Sequence, residues 1–163
     1  MCAHCGCESL DSIAQLTAEH DRVVELSVAV LSALQAGDLH TASTLARSIA
    51  TVLEPHTAVE EHALFPAMAV DYPDYVAGLL DDHEVIDAVL HESVDGTPTD
   101  PAWPARLQGA LSLLRAHIRK EENGLFPAAL TTLTTAAWES LDRARDALGA
   151  DSAGGGTRVV GRT

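Results

Sequence analysis

Residues 56–67, HTAVEEHALFPA, and residues 117–128, HIRKEENGLFPA, are two versions of one pattern. His56 aligns with His117, Glu60 with Glu121, Glu61 with Glu122, and Leu64-Phe65-Pro66-Ala67 with Leu125-Phe126-Pro127-Ala128, while the residues between them differ. Residues i and i+4 stack above one another on a helix, so each histidine and the glutamate four places on can aim at one point. A doubled helical motif points to a doubled architecture: two helix pairs, residues 9–69 and 73–130, related by a pseudo-two-fold axis.

The apolar spacing supplies the rest of that architecture. Ile13, Leu16, Val23, Val30 and Leu34 lie on one face of a helix expected over 9–36. Gly37 closes it and Asp38 can cap a second helix reaching about Met68, with Leu45, Ile49, Val52 and Ala63 in phase. Pro55 falls inside this helix and predicts a kink just before His56. A third helix is expected from Pro73 to about Gly96, with Val76, Leu79, Leu80, Ile86, Leu90 and Val94 on its stripe. A fourth starts at Asp100-Pro101, a cap followed by a first-turn proline, and carries Leu107, Ala110 and Leu114 inward. A shorter helix over roughly 134–148 holds Trp138 and Leu141. The prediction is an all-α, up-down-up-down four-helix bundle over 9–149 with a short extra C-terminal helix. The chain is 47% hydrophobic but only 4% aromatic, which suits Ala- and Leu-rich helices better than strands. Residues 1–8 read as a Cys-rich tail, and 150–163 have the composition of a disordered end.

Into each predicted apolar stripe the chain writes a histidine. His20 lies four places after Leu16, His56 continues Ile49 and Val52, His83 sits between Leu79 and Ile86, and His117 follows Leu114. Glu60 and Glu121 add a carboxylate one turn on. Burying six such groups without partners would cost about 1–3 kcal/mol each. A metal is the economical compensation, and imidazole with carboxylate suits iron, manganese or zinc rather than copper(I). Two six-coordinate ions need about twelve donors; four histidines, two bridging glutamates and an oxo or hydroxo bridge leave an open position for a small ligand. One histidine on an apolar face is commonly an ordinary core residue. Four of them, one per helix, with carboxylates in duplicate register, are not. Asp87, one turn after His83, is a further ligand or an acceptor for an imidazole N–H. Glu61 and Glu122 point well away from the histidine direction, which suits solvent or an outer layer. His40, His62 and His91 read as surface residues.

These residues resemble the hemerythrin-like, HHE cation-binding family. The resemblance runs from TAEHD at 17–21 through HTAVEEHALFP, DDHE at 81–84 and HIRKEENGLFP. The Cys-rich start and the Trp-bearing last helix look most like bacterial single-domain members. It implies a four-helix bundle around a non-haem di-iron centre bridged by Glu60 and Glu121. Oxygen-carrying members have a second histidine four places after the helix-three histidine, where this chain has Asp87. They also place an aspartate five residues after the helix-four histidine; Glu122 stands there, and Glu121 holds the four-residue spacing. The richer carboxylate set shifts the expectation from reversible O2 storage towards oxygen, peroxide or nitric oxide chemistry, as in oxidative or nitrosative stress.

Charge and termini narrow the partners. A net charge of −14 argues against a nucleic-acid backbone or an anionic membrane, both of which need a positive patch. No apolar run approaches the ~20 residues that span a bilayer. MCAHCGCESLDS lacks the basic and apolar regions of a signal peptide, so a cytoplasmic protein with reduced thiols is expected. Cys2, Cys5 and Cys7 with His4 could serve as a redox or metal-transfer tail, or be idle thiols. Four functions follow: binding or sensing O2, turnover of peroxide or nitric oxide, iron supply for iron–sulfur repair, and a plain helical interaction module.

Overall fold

The computed structural model describes residues 7–154, with side chains over 10–149. Its helices are α1 (Cys7–Gln35), α2 (Leu39–Val59), α3 (Phe65–Met68), α4 (Pro73–His91), α5 (Trp103–Lys120), α6 (Phe126–Thr132) and α7 (Thr135–Gly154). Two π-helical segments, Glu60–Leu64 and Glu121–Leu125, join α2 to α3 and α5 to α6, so that four rods result. α1 packs on α2 and α5, and α4 packs on α5 and α2, which closes the ring of an up-down-up-down bundle. None of the described helices is long and apolar enough to cross a membrane.

Local chemistry sets the rod ends. Gly37, at φ 73°, takes the left-handed position after α1, and the Gly37 and Asp38 N–H groups bond back to the Leu34 and Ala33 carbonyls. Asp38 then caps α2 by accepting from the Thr41 N–H at 3.0 Å. The second rod departs from the α form at Glu60–Leu64, not at Pro55: α2 runs through Pro55 without a break. The Phe65 N–H reaches back five residues to Glu60, and the Phe126 N–H does the same to Glu121. In each copy this wider turn ends just before a proline, which has no N–H and would crowd the carbonyl four residues back in a tight α turn. α5 begins at Trp103, because Asp100 and Pro101 form a turn in which the Asp100 carboxylate accepts from the Ala102 N–H. α4 stops at His91, and Leu80 and Val94 are exposed rather than part of the stripe. α7 continues to Gly154, past the start expected for the C-terminal tail.

Two apolar cores stack along the bundle. One gathers Val23, Ile49, Leu53, Ile86, Leu90, Leu107 and Leu114. The other gathers Leu16, Leu64, Phe65, Leu79, Leu125, Phe126, Trp138 and Leu141. His20 falls between Leu16 and Val23, His83 between Leu79 and Ile86, and His56 and His117 fall between residues of the two cores on their own rods. A polar layer therefore separates the cores. α7 closes the second core with Trp138 and Leu141, each worth about 1.5–3 kcal/mol of burial, and with a 2.7 Å bond from the Ser12 hydroxyl to Asp142.

Candidate metal centre

The polar layer consists of His20, His56, Glu60, His83, His117 and Glu121, none more than 7% exposed. They form two clusters, His20, His56, Glu60 and Glu121 on one side and His83, His117, Glu60 and Glu121 on the other. The glutamates are shared, one oxygen to each side. Glu121 sets Oε2 3.1 Å from His20 Nε2 and Oε1 3.1 Å from His117 Nε2. Glu60 sets Oε1 3.4 Å from His56 Nε2 and Oε2 3.4 Å from His83 Nε2. Within each cluster the paired imidazoles bring their Nε2 atoms to 3.2 and 3.0 Å.

The outer nitrogens fix the tautomers. Each Nδ1 faces a carboxylate outside the clusters: His20 to Glu122 at 3.0 Å, His56 to Glu19 at 2.8 Å, His83 to Glu61 at 2.8 Å and His117 to Asp82 at 3.3 Å. An ionised carboxylate only accepts, so Nδ1 carries the proton and a neutral imidazole turns its Nε2 lone pair inward. Four imidazole lone pairs then converge on four carboxylate oxygens that have no hydrogen-bond donor. Eight electron-rich atoms in a buried layer require positive charge, as protons or as metal ions.

The titration tendencies express the same demand. Burial alone would lower the His83 pKa, but the carboxylates of Glu60 and Glu61 overcome it and push it up to about 9. Burial likewise works against charge on His20, and Glu121 and Glu122 raise its pKa. Burial would raise the Glu121 pKa; His117 and His20 hold it well below the usual carboxylate range.

The geometry explains why the motif extends past the first glutamate. Glu61 reaches across to His83, and Glu122 reaches across to His20. The ring of Phe126 stacks on His20 at 5.7 Å, and that of Phe65 on His83 at 5.3 Å. Each copy thus presents its own histidine and shared carboxylate while orienting a histidine of the other half. Pro66 and Pro127 follow the wide turns that set these phenylalanines inward.

All six residues expected from the sequence come together. Glu61 and Glu122 form an outer layer, as their direction implied. Asp87 does not join it: the residue is exposed, at the edge of a neighbouring cavity, and Glu61 and Asp82 serve the imidazoles of that half. Glu19 and Asp82 were not singled out from the sequence, although an acidic residue directly precedes the histidine in both TAEHD and DDHE. Exposed His62 bonds the Ala58 carbonyl, and exposed His40 lies 3.4 Å from Thr97. Cys2 and Cys5 lie outside the described residues, as do 155–163, and Cys7 is the first residue of α1.

A cavity of about 330 Å³ opens onto the layer where α2 and α4 meet. Its walls include Leu53, Ile86, Leu90 and Leu114, all four histidines line it, and Glu54, Glu84 and Asp87 stand at its exposed edge. Among the described residues, no lysine or arginine lines it.

A helical bundle with a buried layer of paired histidines sharing two carboxylates is a cation-binding protein in its design. The pattern described as the hemerythrin HHE cation binding domain matches residues 11–129, most of the chain, and the chain belongs to that family. No curated protein and no solved structure matches it.

Proposed function

We propose that the chain holds two iron ions, one at His20 and His56 and one at His83 and His117, with Glu60 and Glu121 bridging them, and binds or senses O2 or a related small oxidant. The observation that carries this reading is the sharing of two unpartnered, fully buried carboxylates between two histidine pairs. Iron bound there would supply an open position for a small ligand and a change of oxidation state. The protein supplies the rest. Glu19, Glu61, Asp82 and Glu122 keep the Nδ1 protons and so turn the Nε2 lone pairs inward. The two apolar cores enclose the layer along the bundle, and the cavity between α2 and α4 gives access to it from one side. The cavity, with apolar walls and carboxylates at its edge, favours neutral ligands such as O2, hydrogen peroxide or nitric oxide over anions.

A second reading is turnover of peroxide or nitric oxide at the same centre. Asp87 favours it, because the residue at the place of the oxygen carriers' further histidine stays exposed and leaves that side with fewer protein donors. Iron-loaded, reduced protein mixed anaerobically with O2, hydrogen peroxide or nitric oxide, one at a time, tests both. An optical change that reverses when the ligand is removed supports binding; disproportionation of many equivalents of hydrogen peroxide, or consumption of many equivalents of nitric oxide once an electron donor is added, supports turnover. A spectrum indifferent to all three refutes both.

A further inference from the structure

We propose that Arg145, on the last helix, is a positioning residue that makes the two metal positions inequivalent by tightening the one at His20 and His56. This rests on the two-metal reading. The two halves match closely through the histidines, the shared glutamates, the crossed Glu61 and Glu122, and the acidic residue before each helix-one and helix-three histidine. They part at the next contact outward. Asp82, behind His117, is held by Lys120 at 2.6 Å, from the same helix as His117. The residue aligned with Lys120 in the first half is Val59, which is buried and carries no charge. Glu19, behind His56, takes its cation from elsewhere: Arg145 of α7 sets Nη1 2.6 Å from Oε1 and Nη2 3.5 Å from Oε2.

The two clamps differ in stiffness. Arg145 is 24% exposed and grips both oxygens with a planar fork, whereas Lys120 is 43% exposed and holds one oxygen through a flexible stem. Glu19 presents its other contact, at 2.8 Å, to His56 Nδ1, so fixing Glu19 fixes the ring and aims Nε2 at the centre. α7 begins at Thr135, beyond the residues the family pattern covers. The clamp on one metal position is therefore supplied by the C-terminal helix, outside the stretch that the family pattern matches.

The test uses the full metal-free chain, titrated anaerobically with Co(II) as a coloured probe and against a competing chelator, to give two dissociation constants. Arg145→Ala should weaken one of the two ions about tenfold, the lower end for loss of an outer partner, and leave the other in place. Arg145→Lys should recover part of the loss, since it keeps the charge without the fork. Ser12→Ala removes the bond to Asp142, a separate tie of α7 to α1, and should leave both constants unchanged. The Arg145→Ala effect should persist in a His117→Ala background and vanish in a His56→Ala background. Equal weakening of both ions, no weakening, or the same effect from Ser12→Ala overturns the proposal. Wild-type chain that takes up fewer than two Co(II) ions overturns the two-metal reading beneath it.

Discussion

Glu60→Ala and Glu61→Ala change neighbouring carboxylates and should give different patterns of metal loss. Glu60 gives one oxygen to each cluster, so its removal takes one of four protein donors from both metal positions. On the scale of structural zinc sites, about 10–16 kcal/mol for four donors, one donor is worth roughly 3 kcal/mol, or about two orders of magnitude in affinity for each ion. Among the described residues, Glu61 hydrogen-bonds His83 alone, at 2.8 Å, from a side chain 40% exposed. Its loss should weaken one ion by about tenfold, because solvent can replace part of the contact. Both variants should fold, since alanine suits a helix and Glu60→Ala removes two buried oxygens without donors. Chelator competition with Co(II), fitted for two ions, measures the pattern. If Glu60→Ala weakens one ion and spares the other, the carboxylate is not shared and the bridging geometry is wrong.

Protonation makes the stability of the metal-free protein depend on pH. The His83 pKa is raised to about 9, above its unfolded value near 6.5, so its contribution to metal-free stability is whole below about pH 6.5 and is lost as pH rises through about 9. Thermal unfolding of metal-free protein should therefore shift to lower temperature between those values, and a Tm that rises over that window contradicts the assignment. Phe65→Ala should cost about 3–5 kcal/mol in chemical denaturation, because the ring is 1% exposed and fills the second core beside His83. Asp87→Ala should leave metal number and affinity unchanged in the same titration, since the side chain is exposed and belongs to neither cluster.

Much of the centre was legible because helical periodicity assigns each polar residue to a face of its rod. His20, His56, His83 and His117 sit in register with apolar neighbours, and Glu60 and Glu121 follow at i+4, so their convergence needs only a bundle. The extra turn at Glu60–Leu64 was less legible. Pro55 and Pro66 both fall in the second rod, and sequence alone expects the disturbance at the first, yet the α form continues through exposed Pro55. The wide turn lies next to Pro66, where the chain must bring Glu60, Glu61 and Phe65 to different parts of one site. Leu80 and Val94 show the limit of apolar spacing: a residue can fit the pattern and still lie on the solvent side. Asp87 stands outside both clusters for a similar reason, since i+4 from His83 fixes a direction but not whether the rod's neighbours enclose it. Arg145 was invisible to the repeat because its partner Glu19 lies on the first helix, far away in sequence.

Iron per folded chain is the most direct measure of the central claim. After anaerobic loading with Fe(II) and removal of loose metal, the wild-type protein should retain two iron ions per chain. His56→Ala should weaken the ion at His20 and His56 while the His83 and His117 ion remains. Retention of one iron or none by the wild-type chain, with the helical fold intact, would contradict a paired centre built on Glu60 and Glu121.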